Sequence, residues 1–418
     1  MYIFIYIYDF FGILKSRLFK YFIVIYYYYL RKEMVLVRAK TYINTMTIDI
    51  IRNKNKNIIH FLLSAMIFVL ISKSYFYFIY VVNLKSNIPA NLNFLFVWSF
   101  RILLLSLVLF IRWNLYDILL FIIGLAISMF TGNSMILAFF VMGIYCRNNS
   151  ISNDYLVKNY LFITATFFFA LILLNALKLI PNGQLHYRGN TPRNDFGFGN
   201  PNSPFLACLP LYAGYIYLRF DDYDNYDRAL LIVVSLIIYF QTYSRTGLIT
   251  IFAILLFIEI LKRINIVKNR FMSYLIILIP ILITLFSFFT GMFLNNDFFN
   301  EILSHRPEAW NVYIQNIKLL GNSNYYTIRN TYPLDNSYLY SFVIYGVLFT
   351  ISLIGIYTYY IYKNVIDNNS KIIAICSIFL IYSFGENILL NINLNFTLIL
   401  VLSSISLEKI HHYLKNRI

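Results

Sequence analysis

Four charged side chains stand where an apolar chain should carry none: Arg245 in "QTYSRTGLIT", Arg306 in "HRPEAW", Asp335 in "TYPLDNSYLYSFVIYG" and Glu386 in "YSFGENILL". An arginine at a membrane boundary costs a few kcal/mol unless it snorkels or is paired, and an intramembrane carboxylate is a functional candidate by default. Guanidinium groups grip phosphate oxygens in a planar, bidentate way and never lose their charge. Carboxylates supply the complementary function of accepting a proton from an attacking hydroxyl. Together these residue types suit transfer from a phosphate- or pyrophosphate-linked donor. Plainer readings stand beside this one. Arg245 could cap a tight hairpin and snorkel outward, and Glu386 could form an ion pair of the Glu386–Arg245 type that only locks helices together.

A second group of polar residues fills "HYRGNTPRNDFGFGNPNSPF", from His186 to Phe205, between two apolar runs. Its glycines and asparagines permit tight turns and expose backbone amides. Arg188, Arg193, Asn200 and Asn202 are its candidate substrate contacts, with Asp195 the loop's acid. So many turn-formers, with few large apolar anchors, predict a segment of low local stability that is mobile without substrate. A third group, with His305, Arg306 and Arg329 beside Asp297, Glu301 and Glu308, lies in residues 293–334. There Asp335 precedes Asn336 at the start of the next apolar run. Asp335 is either a general base, its pKa raised by partial desolvation, or the N-cap of that helix.

The elements that must position these groups are apolar. The 418 residues are 60% hydrophobic and 12% charged, with a mean hydropathy of +0.67, where about a quarter of a soluble protein is charged. Repeated apolar runs predict an all-α polytopic membrane protein with about twelve spans: 59–80, 92–112, 115–130, 134–146, 157–180, 203–219, 229–244, 247–262, 271–292, 335–361, 371–390 and 393–407. Basic residues at 52–57, Arg147, Lys158, 262–270, Lys363, Lys371 and the tail fall on one side, which the positive-inside rule makes cytoplasmic. The rule also accounts for the net charge of +16 without nucleic acid. Both termini are then inside, and the two long connections, 181–202 and 293–334, are extracytoplasmic. Loops of that length are usually functional.

Three parts follow: an N-terminal cytoplasmic or interfacial segment (1–57), the membrane domain (58–407) and a cytoplasmic tail (408–418). The first 45 residues mix aromatics with basic residues and lack a signal-peptide cleavage pattern. They read as an interfacial helix, an extra span, or leader ahead of a start at Met34 or Met46. Cys146, Cys208 and Cys376 show neither metal spacing nor a disulfide framework.

Taken in order, "GFGNPNSPF" before a span, "YSRTGLI" after a tight turn, "HRPEAW" followed by Gly321 in the large second loop, and "DNSYLYSFVIYG" opening the next span resemble the Wzy-type O-antigen and capsule repeat-unit polymerases, with the related O-antigen ligases. The resemblance spans roughly residues 58–407. It implies a bacterial cytoplasmic-membrane glycosyltransferase acting outside on undecaprenyl-pyrophosphate-linked oligosaccharides, amid membrane lipid, alongside a flippase and a chain-length regulator. By position, Arg245 and Arg306 match the arginines thought to hold the pyrophosphate. Ligases carry a histidine where this chain has Asp335 before Asn336, which favours the polymerase. No paired acidic metal motif lies on the outer side, so the expected transfer needs neither metal nor cofactor. A lipid-linked oligosaccharide flippase is the rival of a different class. Such transporters show repeated halves and charges on broken helices near mid-membrane, and the sequence shows no repeat.

Overall fold

The computed structural model describes residues 44–183, 186–188, 191–263, 269–303, 305–322, 328, 332 and 334–405, and of residues 44–55, 186–188, 191 and 302 the backbone only. The expectations for residues 1–43, Arg329, the Arg188 side chain and the tail 408–418 lie outside the described residues. Residues 1–61 and 62–418 form separate compact units, and the candidate site lies entirely within the second.

The helices in chain order are α1 (Asn44–Tyr77, continued by a π-helical turn, Phe78–Asn83), α2 (Ala90–Leu109), α3 (Leu115–Thr131), α4 (Ser134–Asn148), α5 (Asn153–Ala176), α6 (Ser203–Arg219), α7 (Asn225–Thr242), α8 (Arg245–Arg263), α9 (Arg270–Phe293), α10 (Asp297–Ile302), α11 (Arg306–Gln315), α12 (Ser337–Ile344), α13 (Gly346–Ile366), α14 (Ser370–Gly385) and α15 (Thr397–Ser403). Every expected apolar stretch thus contains helix. Four segments are both long and apolar enough to cross a membrane: Lys56–Asn83, Ala90–Leu109, Asn153–Ala176 and Arg270–Phe293. This is a helical membrane protein. Among the described residues the only strands are β1 (His186–Arg188) and β2 (Thr191–Arg193), an antiparallel ribbon pairing His186 with Arg193 and Arg188 with Thr191.

Short polar residues set the helix starts by accepting hydrogen bonds from otherwise unsatisfied first-turn amides. Asn114 caps α3 at Asp117 N (2.8 Å), Asn133 caps α4 at Met135 N (3.0 Å), Ser152 caps α5 at Tyr155 N (3.2 Å) and Asn269 caps α9 at Met272 N (3.2 Å). At α7, Asp224 and Asp227 satisfy each other's backbone amides in a capping box. The abundant asparagine of this chain therefore punctuates the apolar runs.

The core lies where helices bury all their faces. In α4 every residue from Ala138 to Cys146 is buried. Its Gly143 lies against Leu402 of α15, where a Cβ would come within 2.6 Å of that side chain. Cys146, Cys208 and Cys376 are free and buried. At the cytoplasmic end expected from the charge pattern, Asp117 is fully buried and pairs with Arg147, whose guanidinium also donates to the carbonyl of Ile405.

Three expected spans are not continuous helices. The run 335–361 breaks at Tyr345 and Gly346, where Gly346 adopts φ 87° and a Cβ would lie 2.4 Å from the Gly321 nitrogen. A Cβ on Gly321, itself at φ 99°, would lie 2.2 Å from Ile344 O, so the 293–334 connection wedges its backbone into the helix break. The runs 371–390 and 393–407 likewise shrink to α14 and α15, joined by residues 386–396, which have no regular structure. Ile388, Leu389, Ile392, Leu394 and Phe396 in that stretch are buried. Irregular backbone survives at membrane depth only where protein groups satisfy it. Here Tyr160 Oη donates to Ile392 O (2.9 Å), Asn395 Nδ2 donates to Leu389 O (2.8 Å), and Ser337 Oγ accepts from Ile388 N (2.8 Å) and Leu389 N (3.1 Å).

Candidate functional site

Much of the long connection 293–334 is itself folded. α11 packs on α9 and α12 through Ala309, Trp310 and Tyr313, joined by Leu334, Leu339 and Val343. Trp310 meets Phe384 edge-on with ring centroids 5.2 Å apart, Asn311 Nδ2 donates to Gly291 O (3.0 Å), and Tyr313 Oη donates to Tyr332 O (2.6 Å). His305 turns the chain into α11 with a left-handed φ of 59°. Arg306, the first residue of α11, is therefore held by a packed element.

Arg306 lies between two acids. Its Nη2 donates to Asp335 Oδ2 at 3.0 Å, and Glu386 Oε1 lies 3.8 Å away. The side chains of Arg306 and Glu386 are 19% and 11% exposed, whereas Asp335 is 38% exposed. Glu386 Oε1 is buried and has no hydrogen-bond partner among the described residues. One guanidinium thus faces two carboxyl groups, with Asp335 the one solvent reaches. The Glu386 ion pair is with Arg306, not with Arg245 as the helix-locking alternative had it.

Asn336, not Asp335, caps α12: its Oδ1 accepts from Tyr338 N and Leu339 N, both at 3.0 Å, while its Nδ2 donates to Ser287 Oγ (2.9 Å) and Phe384 O (3.0 Å). The capping alternative for Asp335 is thereby corrected; the amide side chain next to it already satisfies the first turn. Ser337 Oγ donates to Glu386 O at 2.7 Å. These two neighbours tie the start of α12 to the end of α14, so the Asp335 and Glu386 backbones are fixed together.

The α7–α8 turn borders this cluster. A Cβ on Gly385 would lie 2.9 Å from Thr246 Cγ2 and 3.7 Å from both Arg306 Nη1 and Thr250 Oγ1. Arg245 precedes Thr246, is exposed and forms no ion pair among the described residues. Helix starts carry positive partial charge, and those of α8, α11 and α12 meet here. Residues 193–202 of the first long loop reach the same turn. Arg193 Nε donates to Thr242 O (2.6 Å), its Nη2 to Asn202 Oδ1 (3.3 Å), and Ser244 Oγ donates to Asn202 Oδ1 (2.9 Å). Arg306 meets the two carboxyls while Arg193 and the exposed Arg245 stand at the adjoining α7–α8 turn, an arrangement suited to an anionic ligand with a proton to exchange.

The expectation of a mobile first loop fails for residues 194–202. Phe198 is fully buried among Tyr75, Phe78 and Phe168, with ring centroids 6.0, 5.4 and 5.5 Å away. Asp195, also buried, accepts from Gly183 N (2.8 Å) and Gly197 N (2.9 Å). Asn83 donates to Gly197 O, and Gly199 packs on Val82 too closely to admit a side chain. One phenylalanine outweighs the turn-forming composition because it fills an aromatic pocket.

Of the remaining candidates, Asn200 is exposed and its Oδ1 accepts from Asn202 N (2.9 Å). His305 is exposed and faces Glu308 of its own helix (3.3 Å). Among the described residues neither forms a hydrogen bond or ion pair with the side chains of Arg306, Asp335 or Glu386. Sequence reasoning missed Ser337, Thr246 and Gly385; only the glycine before Glu386 in an apolar run gave a signal. Among the described residues no three His, Cys, Asp or Glu side chains gather. The chain matches no protein-family model, no curated protein and no solved structure.

Proposed function

We propose that the chain is a polymerase of lipid-linked oligosaccharide repeat units, spanning the bacterial cytoplasmic membrane about twelve times with both long loops outside. The observation that carries this reading is Arg306 held between Asp335 and Glu386 beside the Arg245–Thr246 helix start. In the reaction, an acceptor sugar hydroxyl attacks the anomeric carbon of a glycan on undecaprenyl pyrophosphate. The glycosidic C–O bond forms, the anomeric carbon–phosphate oxygen bond breaks, and undecaprenyl pyrophosphate leaves with the bonding electrons. Arg306 and Arg245 neutralise the charge growing on that leaving group. Asp335, the more exposed acid, takes the hydroxyl proton, and Glu386 keeps Arg306 in place. Arg193 and Asn202 hold the first loop against the turn, where the glycan chain lies.

The buried irregular stretch following Glu386 favours a second reading, a transporter of lipid-linked oligosaccharide, because broken helices at depth line transport sites. One experiment separates the two. Purified protein in detergent, where no membrane sides exist, is given lipid-linked repeat units from its own host. A polymerase yields a ladder of longer glycans, and Arg306→Lys loses it. A transporter leaves single units unchanged in detergent yet moves them across reconstituted vesicles.

A further inference from the structure

α2 carries a charge that the site does not use. Arg101 lies mid-helix, about 16 Å along the axis from Ala90 and about 12 Å from Leu109 at about 1.5 Å per residue. Side chains on a helix lean toward its N-terminus. Arg101 accordingly reaches back to Trp98, with its guanidinium carbon 5.4 Å from the ring centroid, and away from the nearer helix end. It forms no ion pair among the described residues. A cation at that depth is costly unless an anion meets it.

The face around it has the pattern of a helix-pairing seam. Leu95, Trp98, Ile102, Leu105 and Leu109 recur at alternating spacings of three and four residues, and each is exposed. Phe96, Phe100 and Leu107 of the same helix are buried, so the two faces are distinct. In a three-four seam the flanking position, where Arg101 stands, meets charged residues of the opposite helix.

Acyl chains offer Arg101 no anion. A second copy would set Arg101 against Arg101, since Asp117 is fully buried with Arg147 and Glu386 is buried beside Arg306. We propose that the exposed face of α2 docks a membrane-spanning helix of another protein that carries an aspartate or glutamate at mid-depth, with Arg101 as its ion-pair partner. The proposal does not depend on the reaction assigned above.

The probe is a leucine-based helix of about 20 residues with one central glutamate, labelled for energy transfer to the full chain in phosphatidylcholine vesicles. Association should weaken at least tenfold when the peptide's glutamate is replaced by glutamine or when the chain carries Arg101→Leu. Arg101→Glu should reverse the preference toward a lysine-bearing peptide. Equal association of the glutamate and glutamine peptides overturns the proposal. Energy transfer between two labelled copies that falls in Arg101→Leu would assign the face to a second copy and overturn it equally. Thermal stability of the isolated chain supplies an independent readout. Arg101→Leu should raise the melting temperature by removing an unpaired charge, and a lowered value would mean that the arginine is already paired within the chain.

Discussion

At the scale of single residues, the site turns on what Arg306 can hold. Lysine keeps the charge but loses the planar fork that grips two oxygens, so Arg306→Lys and Arg245→Lys should each lower polymer yield by at least tenfold at normal protein levels. Polymer of normal length from both variants would remove the pyrophosphate clamp. Asp335→Asn is now a cleaner substitution than the sequence alone allowed, because Asn336 supplies the cap and the helix start survives. Single repeat units should accumulate and polymer disappear; near-normal polymer would shift the base to Glu386. Arg245, Arg306, Asp335 and Glu386 were all legible because charge is conspicuous in an apolar chain. Their pairing was not. Arg306 and Glu386 are eighty residues apart, and no local spacing says that Gly385, rather than a larger residue, lets the α8 helix start approach them.

At the scale of elements, most of the long helices were legible to within a few residues, since apolar runs ended by asparagine or serine caps carry their own boundaries, but the start of α1 at Asn44 and the loop helices α10 and α11 were not. The breaks were not, because they arise from tertiary satisfaction of backbone groups: Ser337, Tyr160 and Asn395 hold open what the apolar pattern reads as continuous helix. Asn336→Ala removes the α12 cap and two tertiary hydrogen bonds, and should cost about 2 kcal/mol, read as a lowered melting temperature of the purified protein. Truncating Phe198 empties an aromatic pocket, so Phe198→Ala should cost about 3 kcal/mol. It should also make the 181–202 segment more sensitive to protease added from outside. Unchanged proteolysis would mean that the hydrogen bonds of Asp195 and Arg193 suffice to dock the loop.

For the whole molecule, orientation is the premise on which the site depends. Reporters fused at Lys268 and Lys415 should read cytoplasmic and one at Asn324 external; an internal reading at Asn324 would put the Arg306 cluster on the wrong side for a lipid-linked donor outside. Charge bias is the sequence's ground for expecting this orientation, whereas the meeting of both long loops at the α7–α8 turn required the folded chain. The irregular stretch between α14 and α15 also bears on how the protein is made. α15 has seven residues, about 10 Å of helix at about 1.5 Å each, too short to partition into a bilayer unaided. It must enter already braced by α4, against which Gly143 and Leu402 interlock. Glu386 and the backbone that fixes it are thus seated only after the ribosome has delivered the residues beyond them. A chain cut short before α15 should therefore leave Glu386 unseated beside an Arg306–Asp335 pair already in place, and under the proposed function it should make no polymer.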